Sequence, residues 1–181
     1  DLRVTTTGGT SATSAADQFT YVGAPAVSGI SPTAGPTTGG TSVIINGTGF
    51  SGTTAVTFGA TAASGFTVNS ATQITATAPA GSAGTVDVRV TTPGGTSATS
   101  GADQFTYVTA PVVSGINPAF GPVAGGASVV ITGTGFASTT AVTFGATAAS
   151  GYTVNSATQI TATAPAGTGT VDVRVTTAGG T

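Results

Sequence analysis

The sequence contains no cysteine, histidine, methionine, tryptophan, lysine or glutamate. Histidine and cysteine supply the usual protein ligands of zinc, haem and iron–sulfur clusters, and they form the commonest nucleophile and base pairs of hydrolases. Their absence excludes those kinds of site. We therefore expect no cofactor, no bound metal and no enzyme activity.

Charge is nearly as scarce as these residue types. Three arginines and five aspartates give the 181-residue chain a net charge of −2. Three cations are too few to neutralise the several phosphates that a nucleic-acid-binding surface contacts. No apolar run approaches the roughly 18 residues of a membrane-spanning helix. We expect no nucleic-acid partner and no membrane insertion in this segment, while the clustered apolar residues, at 39% hydrophobic content, predict a folded chain.

Repetition is the main feature that is present. Residues 24–81 align with residues 110–167 at an offset of 86, and residues 1–22 match residues 87–108 at most positions. Self-similarity at a fixed period indicates tandem structural units. The sequence predicts three parts: 1–22, the C-terminal strands of a preceding repeat; 23–108, a complete domain; and 109–181, a domain that lacks its last strand.

Each repeat has the residue pattern of short β-strands. The repeats are rich in β-branched residues, which favour strands, and glycine or proline recurs at intervals of about 8–12 residues, the spacing typical of a sandwich. In Thr85–Thr91 the valines share one face, and Asp87 and Arg89 share the other. The fold class we predict is all-β, with tandem immunoglobulin-like β-sandwiches of about 86 residues per repeat. Strands are expected near 25–30, 41–47, 54–58, 65–68, 72–78, 84–92 and 103–108.

Several motifs recur at matching places in the repeats. They are S-P-T-A-G-P-T-T-G-G at 31–40, G-T-G-F at 47–50, T-Q-I-T-A at 72–76, A-P at 78–79 and F-T-Y-V at 105–108. These motifs resemble the IPT/TIG domain, the immunoglobulin-like fold of plexins and transcription factors. The third repeat has N-P-A-F-G-P-V-A-G-G at 117–126 but no closing F-T-Y-V. Nearly identical tandem copies with little charge look most like the repeats of bacterial surface proteins.

The resemblance implies a non-enzymatic structural role. We expect a repeat unit of an extracellular fibre or adhesin stalk on a bacterial cell surface. Its partners would be copies of itself or adjacent repeats, joined head-to-tail in a covalent tandem array or by strand donation between chains. The alternative is a carbohydrate-associated or protein-binding module of a secreted multidomain protein, which exposed aromatic platforms would distinguish.

The candidate interaction site follows from the incomplete third repeat. A sandwich without its last strand exposes two strand edges and a core groove, which form a template for another chain. The missing sequence is present near the N-terminus as Asp17, Gln18, Phe19, Thr20, Tyr21 and Val22. We predict that these residues form a completing strand, with Phe19 and Tyr21 inserted into a core. Phe120, at the position equivalent to Ala34, is expected at a domain junction.

Other polar residues have simpler interpretations. Asp17 and Asp103 precede F-T-Y-V and are expected to cap a turn. The pairs Asp1/Arg3, Asp87/Arg89 and Asp172/Arg174 are expected on a solvent-facing side of a strand. These pairs supply one carboxylate per repeat, which falls short of the roughly six to eight oxygen ligands that calcium takes.

Overall fold

The computed structural model describes all 181 residues, and it is all-β apart from one 3-10 turn at Ala15–Asp17. In the N-terminal segment (1–22), two short strands, β1 (Thr5–Thr6) and β2 (Gly9–Thr10), form a hairpin. No helix of the structure has the length and hydropathy needed to cross a membrane.

The first domain (23–108) is a two-sheet sandwich. Its strands are β3 (Ala26–Ser31), β4 (Ala34–Pro36), β5 (Ser42–Thr48), β6 (Ala55–Phe58), β7 (Thr61–Ala62), β8 (Gly65–Ser70), β9 (Gln73–Thr77), β10 (Gly84–Thr92), β11 (Gly95–Thr96) and β12 (Gln104–Val108). One sheet has the order β3-β5-β9-β8, and the other has the order β4-β12-β10-β6-β7, with β11 paired to β10. The core lies between the two sheets, where alternate residues of β5, β9, β6, β10 and β12 are buried.

The second domain (109–181) repeats this architecture with fewer strands. They are β13 (Val112–Asn117), β14 (Ser128–Thr134), β15 (Ala141–Phe144), β16 (Thr147–Ala148), β17 (Gly151–Ser156), β18 (Gln159–Thr163) and β19 (Val173–Thr176). The first sheet is complete, with the order β13-β14-β18-β17, but the second contains only β16-β15-β19. No strand takes the place of β4 or β12.

The predicted strands of the first domain are all present within about two residues of their expected ends. Their alternation of apolar and polar residues is expressed as alternate burial, as in the buried, half-buried, buried pattern of Val88, Arg89 and Val90. Phe50 and Phe136, which follow glycine-rich turns, are fully buried in the two cores. The predicted fold class is confirmed.

Candidate assembly site

Two aromatic side chains hold the closing strand of the first domain. β12 lies between β10, to which it is antiparallel, and β4, to which it is parallel. Phe105 is fully buried and Tyr107 is nearly so. The Phe105 ring packs edge-on against Phe58, with centroids 5.3 Å apart, and against Tyr107, with centroids 5.1 Å apart. The strand therefore both fills part of the core and links β4 to β10 in one sheet.

Glycines and one polar contact shape the slots for these two rings. A methyl group at Gly81 would come within 2.8 Å of the Tyr107 ring, and one at Gly35 would come within 2.9 Å of the Phe105 ring. The Tyr107 hydroxyl donates a hydrogen bond of 2.9 Å to the carbonyl oxygen of Pro79. Burial raises the pKa of Tyr107 above its ordinary value, because the charged phenolate is poorly solvated there.

Backbone hydrogen bonds fix the register of β12. The Val88 amide donates to the carbonyl oxygen of Asp103 (2.8 Å). The Thr106 amide donates to the carbonyl oxygen of Thr33 (2.8 Å), and the Thr37 amide donates to the carbonyl oxygen of Val108 (3.1 Å). The Asp103 side chain is fully buried and accepts hydrogen bonds of 3.0 and 3.2 Å from the Ser100 amide. The predicted aspartate-capped turn thus leads directly into the strand.

The N-terminal segment repeats the turn but leaves its aromatic residues exposed. The amide of Ser14 donates to the Asp17 carboxylate at 3.0 Å, as the Ser100 amide does to Asp103. Phe19 is 68% exposed and Tyr21 is 91% exposed, and their rings contact each other with centroids 4.9 Å apart. Residues 18–22 form no strand, since no strand edge lies beside them.

The second domain has an open groove where the first domain has β12. The groove has a volume of about 550 Å³, and Phe144, Pro165 and Gly167 are among its lining residues. Their counterparts in the first domain contact the side chains of Phe105 or Tyr107. A methyl group at Gly167 would meet no atom within 4 Å, so the slot that Tyr107 fills in the first domain is empty here.

Two backbone edges border this groove. Residues 169–172, which correspond to the first half of β10, form no strand, and neither do residues 120–122, which correspond to β4. The Val123 amide has no backbone hydrogen-bond partner, whereas its counterpart, the Thr37 amide, donates to the carbonyl oxygen of Val108 in β12. Unpaired backbone of this kind beside a sheet can pair with an added strand.

The open groove also reduces the core of the second domain. Thirteen residues form the buried core of the first domain, and seven form that of the second. Two of the missing six, Phe105 and Tyr107, have no counterpart in the chain's second domain. The other four have counterparts that are only partly buried against the core, namely Ile116, Phe144, Ala164 and Val173. The missing strand therefore accounts for the whole difference.

Phe120 lies at the mouth of the groove. It is 86% exposed and lines the groove together with Val123, which is 72% exposed. Its counterpart, Ala34, pairs with Thr106 of the closing strand. The placement of Phe120 at a domain junction stays a prediction.

The charged residues gather no ligand set. No group of three or more aspartate, glutamate, histidine or cysteine side chains is close enough to hold a metal ion. The Arg89 guanidinium donates to the carbonyl oxygen of Ser97 at 2.9 and 3.0 Å. Arg174 and Asp172 lie 3.9 Å apart with side chains that are 62% and 87% exposed, a solvent-facing pair as expected.

A contact that sequence reasoning missed packs a turn of each domain on the backbone at that domain's N-terminal boundary. A methyl group at Gly94 would overlap the carbonyl oxygen of Gly23, and one at its counterpart, Gly179, would overlap that of Thr109. The turn next to each glycine is closed by a threonine–threonine hydrogen bond of 3.0 Å. The P-G-G-T and A-G-G-T sequences signal only a turn, and nothing in them indicates the partner backbone.

Similarity to known proteins supports this description of the fold. The model of the IPT/TIG domain matches residues 25–107 and 111–181. A structure of the plexin A4 extracellular region is 22% identical, with a TM-score of 0.53 over 90% of this chain. That likeness shows the fold. The chain spans only 17% of the plexin A4 chain, and no curated protein matches it.

Two further similar structures come from bacteria. SGBP-B of a xyloglucan utilization locus in Bacteroides uniformis is 25% identical over 87% of this chain and 47% of its own, with a TM-score of 0.39. A surface glycan-binding protein from Prevotella bryantii is 19% identical over 89% of this chain and 41% of its own, with a TM-score of 0.40. The family match covers most of the sequence and both sandwiches, and the chain belongs to the IPT/TIG domain family.

Proposed function

We propose that this chain is a structural repeat unit of an extracellular fibre or adhesin stalk on a bacterial surface. Its domains would be joined head-to-tail, with copies of itself or adjacent repeats as partners. The observation that carries the proposal is the repeated joint. Gly94 packs on the Val22–Gly23 backbone, and Gly179 packs on the Val108–Thr109 backbone, with the same close approach.

Repetition of one joint favours an extended assembly. A contact that joins two different surfaces of the same unit propagates from copy to copy, unless its rotation closes a ring. The first domain contacts the Val22–Gly23 backbone in the same way as the second domain contacts the Val108–Thr109 backbone. Each domain would therefore meet the linker at its N-terminal boundary in the same way.

The chain composition fits an exposed fibre. There is no lysine, and the three arginines leave few cleavage sites for proteases that cut after basic residues. An adhesive or glycan-binding module would instead present a cluster of exposed aromatic residues away from its own joints. The most exposed aromatics, Phe19, Tyr21 and Phe120, belong to the completing segment or to the groove.

The test is the shape of a covalent array. Fusing residues 11–181 directly after Thr181 continues the repeat without a gap, and further copies extend it. Small-angle X-ray scattering should show a maximum dimension that rises linearly with copy number at constant cross-section. The matched control, Gly94→Val with Gly179→Val, should bend or loosen the rod because both side chains would overlap linker carbonyls.

A compact array would contradict the proposal. Its maximum dimension would then rise only slowly with copy number. Retention of such a compact array on a polysaccharide in affinity electrophoresis would favour the alternative, a carbohydrate-associated module.

A further inference from the structure

We propose that the groove of the second domain binds Asp17–Val22 of a second copy of this chain as an added strand. Phe19 and Tyr21 would take the places that Phe105 and Tyr107 occupy in the first domain. The inference rests on the proposed head-to-tail assembly, for which it names the partner segment and the receiving site.

The first domain shows which sequence such a groove accepts. Its own groove is filled by Asp103–Val108, and Asp17–Val22 is identical to that segment at all six positions. The residues that contact the two buried rings are also the same types in the second domain, where Phe144, Pro165 and Gly167 line the groove. An identical ligand thus faces a matching site, and neither forms a strand pair within residues 1–181.

The backbone of the groove offers matching hydrogen-bond partners. By comparison with the first domain, the Thr20 amide would donate to the carbonyl oxygen of Ala119, and the carbonyl oxygen of Val22 would accept from the unpartnered Val123 amide. The added strand would then be parallel to residues 120–122 and antiparallel to residues 169–172, as β12 is to β4 and β10. Both open edges would be covered by one segment.

The exchange preserves a hydrogen bond that the free chain already makes. The carbonyl oxygen of Asp17 accepts from the Leu2 amide at 2.7 Å, as Asp103 accepts from Val88. Leu2 and Val173 are equivalent positions of the repeat, so Val173 of the receiving copy can donate in place of Leu2. Strand exchange between equivalent sequences keeps this bond and adds the burial of two aromatic rings.

The test uses a cysteine pair placed in the proposed register. In the first domain, Thr85 and Thr106 lie opposite each other with hydroxyl oxygens 3.0 Å apart. The Thr106 amide points to Thr33 on the other side, so this is a pair without mutual backbone hydrogen bonds, in which the side chains are closest. Its proposed equivalent between copies is Thr20 with Thr170.

Residues 1–181 contain no cysteine, so Thr20→Cys with Thr170→Cys introduces the only two thiols of this chain. After mild oxidation, a non-reducing gel should show a ladder of dimers and higher multiples that reduction collapses. Thr20→Cys with Asp172→Cys is the matched control, displaced by two residues along the strand. We expect it to cross-link at least about tenfold less, because disulfides need Cβ atoms about 3.5–4.5 Å apart.

A blocking variant tests the groove itself. Gly167→Val adds a side chain to empty space in the free second domain, but the equivalent position in the first domain touches the Tyr107 ring. We expect it to abolish the ladder of the Thr20→Cys, Thr170→Cys chain and to leave amide exchange in β14 unchanged. Persistence of the ladder would overturn the proposed site.

The remaining outcomes also decide between the proposals. A disulfide within single chains would overturn the assignment to a second copy, and equal cross-linking in both registers would overturn the strand pairing. If no cross-links form but the covalent array is linear, strand donation is overturned and the fibre proposal stands. If no cross-links form and the covalent array is compact, both strand donation and the fibre proposal are overturned.

Discussion

Replacing Phe105 by alanine should cost the first domain about 3–5 kcal/mol of unfolding free energy. The side chain is fully buried, and an aromatic ring withdraws about 150–250 Å² from water, equivalent to about 4–6 kcal/mol at 25 cal/mol per Å². Partial collapse of the neighbours recovers some of this energy. A small domain is stable by only about 5–15 kcal/mol, so the substitution should remove a large part of its stability.

Native-state amide exchange measures this loss in each domain separately. The sequences of β5 (Ser42–Thr48) and β14 (Ser128–Thr134) differ, so their peptides are distinguishable by mass. Phe105→Ala should lower the protection of β5 by about two to four powers of ten and leave β14 unchanged. Phe19→Ala is the matched control, since the same residue in the same local sequence is exposed. Measured at high dilution, it should change stability by less than about 0.5 kcal/mol.

A fall of less than about tenfold in β5 for Phe105→Ala would refute the reasoning. So would an equal fall for Phe19→Ala at a concentration too low for assembly. Either result would mean that the closing strand does not hold the sandwich through its aromatic side chains.

Three further predictions concern the two domains. The second domain should exchange faster than the first, by about two powers of ten or more in Ser128–Thr134 relative to Ser42–Thr48, because its core lacks two aromatic rings. Burial raises the pKa of Tyr107, so its contribution to stability is complete below about pH 10 and is lost as the pH rises above that value. The urea midpoint of unfolding should therefore fall above that pH, and Tyr107→Phe should make the fall smaller. Gly81→Ala should cost about 1–3 kcal/mol by collision with the Tyr107 ring, whereas Gly167→Ala should cost under about 0.5 kcal/mol in urea unfolding of the free chain.

The long strands of the fold are predictable because each carries its own signal. In β10 the alternation of valine with Asp87 and Arg89 identifies both the strand and its buried face. The offset of 86 then transfers β3 and β5 to β9 to the second domain, and an offset of 85 transfers the second half of β10. The aspartate turn before F-T-Y-V is equally local, and both copies contain it.

The short elements carry no such signal. β4 is the sequence A-G-P, three residues with glycine and proline, and only its parallel pairing with β12 makes it a strand. Without that partner the same place in the second domain, residues 120–122, is irregular. The close approach of Gly94 to Gly23 likewise involves residues that are distant in sequence, so the residue pattern of the turn does not predict it.

The mass of the unsubstituted 181-residue chain as a function of concentration tests strand donation most directly. Light scattering coupled to size exclusion should show a mass that rises from 16.9 kDa through multiples of that value as concentration increases. The Phe19→Ser, Tyr21→Ser chain should remain at the monomer mass, because it lacks both rings that fill the groove. An unsubstituted 181-residue chain that stays at 16.9 kDa at every concentration, or a variant that assembles equally well, would contradict the account.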